Sequence, residues 1–455
     1  MKRDACASPR RLRPPRRELR SRKRPEPTPS ERPRNGRVSR MGLNPGAAGF
    51  KGDRLGNGVH VLTEGMPGVR SVAVGAWVRQ GAALDEPGQA GASHLLEHLV
   101  FRGTGSRSRR QIALSLESVG GSLNAYTSRE HTGYEARVLA SHLSLAVDVI
   151  SDLVRDPRLA ERDLEQEKMV VGEEIAAVED TPDDLVFELH GERLWRGHPY
   201  GRSILGTRDS VAAISRDDLA RLHRERYVGA NLVVAAAGAV DHHEFLGLAD
   251  EWFGEIEPGR EAPGVPDPPA PEEGIDRVAR EASQTHIVLG RTTPGHSHRD
   301  RHALILLAAA LGGGMSSRLF QRVREELALA YAVFSYQSFY TRGGVSGMYA
   351  GTRPGKAPEA LDAIRSVYRH VAAEGLPRDE LDRVKEQVKG QVMLSQESPG
   401  ARLHRLAGFA LYREPFVTLD ELTGRIDSVS NCDIVRVAAD VFEPERQYAL
   451  CLGPH

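Results

Sequence analysis

One short stretch constrains the fold of this chain more than any other. Residues 257–273 read EPGREAPGVPDPPAPEE, proline-rich and acidic, a composition that favours an extended linker over a packed element. The patterns before it recur after it. Upstream, the turn in RLGNGVHVLTEGM opens a hairpin, and the alternation in SVAVGAWVR predicts a strand over 71–79. A helix in GASHLLEHLVFRG (91–103) and another near 108–119 follow. After a Gly-Gly turn come two β-prone runs, SLNAYTS and TGYEARVLA. Helices are expected over 142–155 and 160–179 and on to about 225, then a strand in NLVVAAAGAV and a helix in HHEFLGLADEWFG. Downstream, the strand QTHIVLGR, a helix from about 300, the Gly-rich turn GGGMSSRLF, a helix, the strands YAVFSYQSF and GVSGMYAGT, a long helical region and the strand QYALCLG repeat that order.

The expected class is therefore α+β: two similarly built α/β-layered domains, each a mixed, largely antiparallel sheet with helices packed on it, related by duplication. The expected divisions are a tail (1–48), a first domain (49–256), the linker (257–273) and a second domain (274–455).

The net charge of −1 conceals an asymmetry. Residues 1–40 carry fifteen Lys/Arg against four Asp/Glu, +11, which leaves −12 in the remainder. That basic, proline-broken tail has too little apolar surface to fold and is expected to be disordered. Its prolines also argue against an amphipathic targeting helix, and without interleaved aromatics or a recognised module it gives no sign of nucleic-acid binding. Three cysteines, Cys6, Cys432 and Cys451, show no metal-ligand spacing. No apolar run approaches the roughly 20 residues of a membrane span. These features predict a cytoplasmic protein without a membrane partner.

The chemistry concentrates in SHLLEHLVFRGT (93–104). On a helix, His94 and His98 share a face and can direct two imidazoles at one ion, with Glu97 beside them. A catalytic zinc site takes three protein ligands and leaves a position for water. The third should come from a second packed helix, and ERDLEQEKMVVGEEIAAVED (161–180) is strongly acidic. Glu167 and Glu174 lie two turns apart on one face, Glu173 on another; spacing alone does not choose between 167 and 174.

His94-x-x-Glu97-His98, the following FRGT, the segment GGSLNAYTSREHTGYE and EKMVVGEEI together resemble the pitrilysin/insulinase family of inverted-motif zinc peptidases. The likeness is nearest to the short bacterial and mitochondrial-processing-peptidase type, and HPYGRSILGT (198–207) also looks like a family segment. The resemblance implies that His94, His98 and Glu174, which stands 76 positions beyond the second histidine (174 − 98), hold one Zn2+ per chain. It makes Glu97 the general base and Glu167 a support that orients a ligand. It also extends past the linker: GGGMSSRLFQRVREELALAYAV is similar to the family's second domain, whose arginine and tyrosine, seven apart, here fall on Arg324 and Tyr331. Both can donate hydrogen bonds to an oxyanion.

In the family the strand carrying Asn124, Ala125 and Tyr126 is an edge that pairs with the peptide substrate, so that the backbone ladder supplies affinity and pockets add preference. The resemblance implies a metalloendopeptidase acting on unfolded peptides or presequence-like segments. It further implies a homodimer, or a heterodimer with a related chain. The other reading it offers is a non-catalytic structural or partner subunit, which usually lacks one of these residues; here every position is filled.

Overall fold

The computed structural model describes residues 39–40 and 49–454. The expectation of a disordered tail over 1–48 lies outside the described residues, apart from Ser39–Arg40. In chain order the strands are β1 (Ser39–Arg40), β2 (Phe50–Arg54), β3 (His60–Gly65), β4 (Ser71–Val78), β5 (Ser122–Thr127), β6 (Thr132–Leu139) and β7 (Leu232–Gly238). The second half adds β8 (Gly274–Ala279), β9 (Thr285–Thr293), β10 (Ala330–Phe339), β11 (Gly344–Thr352) and β12 (Tyr448–Gly453).

They form a seven-stranded sheet, β1-β2-β3-β7-β4-β6-β5, and a five-stranded sheet, β10-β11-β9-β12-β8. The duplication is explicit in the pairing. Order β3-β7-β4-β6-β5 matches β8-β12-β9-β11-β10 strand for strand. In each set the first pair is parallel and the next three are antiparallel. The expected α+β class with two similarly built layers is what the chain adopts. Strand β8, a polar and largely exposed edge, has no counterpart in the expected pattern because its sequence, GIDRVA, lacks a run of apolar residues.

Alternation along β4 explains the layering. Val72, Val74, Ala76 and Val78 face a core shared with helices Ala92–Val100, Leu143–Arg155 and His242–Phe253, while Ala73 and Trp77 face the opposite side. That opposite side is covered by a helix from the other half of the chain: Leu403, Leu406, Ala407 and Ala410 of helix Pro399–Leu411 pack on Leu62, Trp77, Val233 and Ala235. The exchange is reciprocal. Helix Pro182–Leu194 leaves the first half and lays Val186 and Leu194 on Val288, Leu450 and Leu452 of the second sheet. At about 2 kcal/mol for each fully buried Leu or Val side chain, these contacts make the halves interdependent.

The long helical region expected before the last strand resolves into five helices, Ala357–Glu374, Arg378–Ser395, Pro399–Leu411, Leu419–Asp427 and Asn431–Val441. The helix expected after the Gly-rich turn is instead a π-helix, Phe320–Glu326, in which Leu327 N donates to Arg322 O at 3.2 Å. Wide turns of this kind are rare and occur often at functional sites.

Candidate metal centre

Helix Ala92–Val100 is fixed from beneath and from its start. Leu95, Leu96, Leu99 and Val100 are buried, which turns His94, Glu97 and His98 toward the opposite face. At the start, the buried carboxylate of Asp85 accepts from Gly91 N (3.0 Å), Ser93 N (3.1 Å) and Ser93 Oγ (2.5 Å). Burial pushes this carboxyl up to about 6 despite those donors. Gly91 sits at φ +93 against Leu205 and Gly206, and Gly206, at φ +76, leaves no room for a side chain beside Ala90 O. This close approach gives SILGT a physical role: it clamps the start of the helix.

The trio converges. His94 Nε2 and His98 Nε2 each stand 3.7 Å from a different oxygen of Glu174. Ligand atoms from His94, His98 and Glu174 all lie within 4.8 Å of one another. A separation of 3.7 Å is too long for a hydrogen bond, yet it is close to the roughly 3.4 Å between neighbouring ligand atoms around a tetrahedral zinc. Two imidazole nitrogens and a carboxylate are also the donor set a catalytic zinc takes. The residues fit the ion. Burial, then the neighbouring His98, lowers the His94 pKa to about 4, so His94 is neutral near pH 7 and free to ligate.

Glu167 is buried beneath the trio. Its Oε2 accepts from His98 Nδ1 at 3.2 Å, and its other oxygen is gripped by Arg102. With Nδ1 committed as donor, His98 offers Nε2 as the ligating nitrogen. Geometry thus separates the two candidates that spacing leaves open: Glu174 meets both imidazoles, whereas Glu167 supports one from behind.

Glu97 is 8% exposed, and burial raises its pKa. Among the described residues one side chain hydrogen-bonds to it, Thr127 at the end of β5, whose Oγ1 donates to Glu97 Oε2 at 2.8 Å. β5 is the outermost strand of its sheet. Leu123 and Ala125 turn toward the core that holds the motif helix. Tyr126 points the other way, its hydroxyl accepting from Trp77 Nε1 at 3.0 Å. Ala125 and Tyr126 thus face opposite sides of the strand, Asn124 is exposed, and Thr127 reaches Glu97. Thr127, Asp85 and Arg102 escape a reading from sequence because each is a common residue type whose role depends on partners at least six positions away.

In the second half, the Arg324 guanidinium lies between the rings of Phe320 and Tyr331, 4.6 Å from each centroid. Tyr331 is 77% exposed, so it is no core residue. Between them Ala328 adopts φ +48, an uncommon backbone state for alanine. Among the described residues, neither Arg324 nor Tyr331 makes a hydrogen bond or ion pair to the histidine–glutamate cluster of the same chain.

The duplication places a counterpart of the metal centre in that half. Ile305, Ala308 and Ala309 repeat the spacing of His94, Glu97 and His98, and Val388 and Ser395 repeat that of Glu167 and Glu174. All five line one cavity of about 390 Å³ beside Ser335 and Gln337 of β10. None supplies an imidazole or carboxylate. The fold is repeated there and the ligands are not.

The chain matches two family descriptions, Insulinase (Peptidase family M16) over residues 60–208 and Peptidase M16 inactive domain over residues 213–388. It is 38% identical over 396 residues to an "uncharacterized zinc protease" of Streptomyces coelicolor, covering 85% of this chain and 86% of that one. It is 37% identical to the "uncharacterized zinc protease YmxG" of Bacillus subtilis, covering 87% and 96%. A crystal structure described as a protease from Helicobacter pylori superposes with a TM-score of 0.83 at 22% identity, over 90% of this chain and all of that one, a likeness of fold. By sequence and by fold, the chain belongs to the pitrilysin/insulinase family, peptidase family M16, and to its short bacterial type.

Proposed function

We propose that the protein is a zinc-dependent endopeptidase that hydrolyses unfolded or presequence-like peptides. The observation that carries this reading is the convergence of His94, His98 and Glu174 with the buried carboxylate of Glu97 beside them. The zinc protease names of the relatives support it.

His94, His98 and Glu174 would hold the ion. When bound, zinc supplies a water acidified to about pKa 7 and polarises the scissile carbonyl. Glu97 takes the water proton as attack proceeds and returns it to the departing amine. Burial raises its pKa above the usual carboxylate range, which makes it a readier proton acceptor than an exposed glutamate. The free edge of β5 aligns the peptide by backbone pairing, which tolerates varied sequences. Tyr331 and Arg324 donate to the oxyanion. Since neither contacts the metal cluster of its own chain, we assign them to the site of a facing copy, which makes the working unit a homodimer with two sites. In this reading residues 49–256 are the metal-binding domain and residues 274–455 the domain supplying Arg324 and Tyr331.

Glu97→Gln tests the mechanism. It should abolish cleavage of a peptide library, read by mass spectrometry, while elemental analysis still finds one zinc per chain. Wild-type turnover in that variant would overturn the proposal. The non-catalytic partner subunit has no comparable support, because ligands, base and Arg/Tyr pair are all present.

A further inference from the structure

The carboxylate of Glu97 has two oxygens, and among the described residues only Oε2 is engaged in a hydrogen bond. Thr127 Oγ1 lies 2.8 Å from Glu97 Oε2. It also lies 3.5 Å from Thr132 Oγ1, so the direction of its single O–H has to be worked out. Thr132 Oγ1 donates to the backbone carbonyl of Gln80 at 2.8 Å, and that bond uses the Thr132 proton. Thr132 can therefore only accept, from a distance at which a hydroxyl bond is weak. The Thr127 proton goes to Glu97 Oε2, the shorter and charged acceptor.

The chain behind this hydroxyl is rigid. Thr132 is buried and sits opposite Thr127 in the β5–β6 ladder, and Gln80 is buried and bonded to Ser93 on the motif helix at 3.0 Å. Thr127 is also the last residue of β5, the edge strand. One residue thus joins the strand expected to receive the peptide to the carboxylate expected to receive the proton.

We propose that Thr127 is the positioning residue for the base: it holds Glu97 Oε2 by a directed hydrogen bond and leaves Oε1 as the oxygen that accepts the water proton. This rests on the peptidase reading above and adds a role for a residue outside the motif. Pairing of a peptide on β5 and aim of the base are then coupled through one hydroxyl. Without the hydroxyl, Glu97 rotates about its terminal torsion, which has broad wells, and spends less time aligned.

The test compares Thr127→Val, which keeps shape and removes the donor, with Thr127→Ser, which keeps the donor and removes a methyl group. Steady-state kinetics on one fluorogenic peptide, with zinc content and circular dichroism as controls, give the readout. Thr127→Val should lose about tenfold to a hundredfold in kcat with KM within about twofold, a part of the 10²–10⁴ that a general base contributes. Thr127→Ser should recover kcat to within about threefold of wild type. If Thr127→Val loses zinc or fold, Thr127→Ser against Thr127→Ala decides on the same criterion. Full kcat in the variants without the hydroxyl, or a serine variant as impaired as they are, overturns the assignment and leaves only a packing role. Glu97→Gln, assayed alongside, separates the two claims: if it is inactive while Thr127→Val is fully active, this inference fails and the peptidase reading stands; if Glu97→Gln is fully active, both fail.

Discussion

The Glu167 carboxylate joins His98 to Arg102: it accepts from His98 Nδ1 at 3.2 Å on one oxygen and pairs with the guanidinium on the other. An acid buried to 4% exposure is tolerable there only because both oxygens are answered by donors. Glu167→Ala removes the acceptor that fixes the His98 ring and strands Arg102. It should weaken zinc binding about tenfold to a hundredfold, the usual loss when such a supporting partner is removed. Competition with a chromogenic chelator measures it, and an unchanged zinc affinity would show that His98 is oriented by packing alone.

Glu174 differs from Glu167 in its surroundings. Its side chain is 39% exposed, and among the described residues it faces only His94 and His98 within ion-pair distance. Glu174→Gln should therefore leave the fold's stability nearly untouched while emptying the metal centre, because the amide is a poor ligand. Elemental analysis should find well under one zinc per chain, with a wild-type circular dichroism spectrum. Full zinc content would move the third ligand elsewhere.

These two glutamates show how far the sequence could be read. The seven-residue interval places both on one face of helix Glu161–Asp180, and this the periodicity predicts. Which of them meets the histidines depends on the rotation and depth of one helix against another, a tertiary property. The same limit hides Thr127, whose partner Glu97 lies 30 positions away, and Asp85, whose partners Gly91 and Ser93 lie 6 and 8 positions away across a turn. It hides the helix exchange as well: Pro182–Leu194 and Pro399–Leu411 read as ordinary amphipathic or mixed helices, and nothing local says that each covers the other half's sheet. What was legible was the repeated order of elements, because alternation and helical spacing are local signals. The edge strand β8 is illegible for the converse reason: GIDRVA mixes polar and apolar residues on both faces and shows no alternation.

The exchange predicts that the halves do not fold apart. A chain ending at residue 256 would expose Leu62, Trp77, Val233 and Ala235, all now covered by helix Pro399–Leu411. It should be insoluble, or expanded by size-exclusion chromatography. In the full chain, Leu406→Ala should cost about 2–5 kcal/mol against urea, the range for a fully buried leucine. A soluble, compact first half would contradict this.

The exchanged helix also predicts a pH dependence. His190, on Pro182–Leu194, is fully buried, and its Nε2 donates to Tyr448 O at 3.2 Å. Burial lowers its pKa to about 4, against about 6.5 when unfolded. The unfolded chain therefore binds the extra proton between those values. The stability this group confers is whole above pH 6.5 and is lost as pH falls toward 4, about 2 kcal/mol of it by pH 5. His190→Gln keeps a donor for Tyr448 O without a titrating ring. Urea unfolding at pH 7 and pH 5 should show a smaller difference for the variant than for wild type; an equal difference would assign the acid sensitivity to other groups.

The separation of Arg324 and Tyr331 from the metal cluster of their own chain yields the last prediction. If each site takes its ligands from one copy and its Arg/Tyr pair from the other, Glu97→Gln and Arg324→Ala chains are each inactive for different reasons. A mixed dimer then holds one site with both defects and one site with neither. Random pairing of equal amounts makes half the dimers mixed, so roughly one quarter of wild-type activity should return after co-refolding or co-expression. Sedimentation should give a particle of twice 49.8 kDa. A monomer that cleaves peptides, or mixing that restores nothing while both single variants are folded and zinc-loaded, would place all the catalytic groups of a site within one chain.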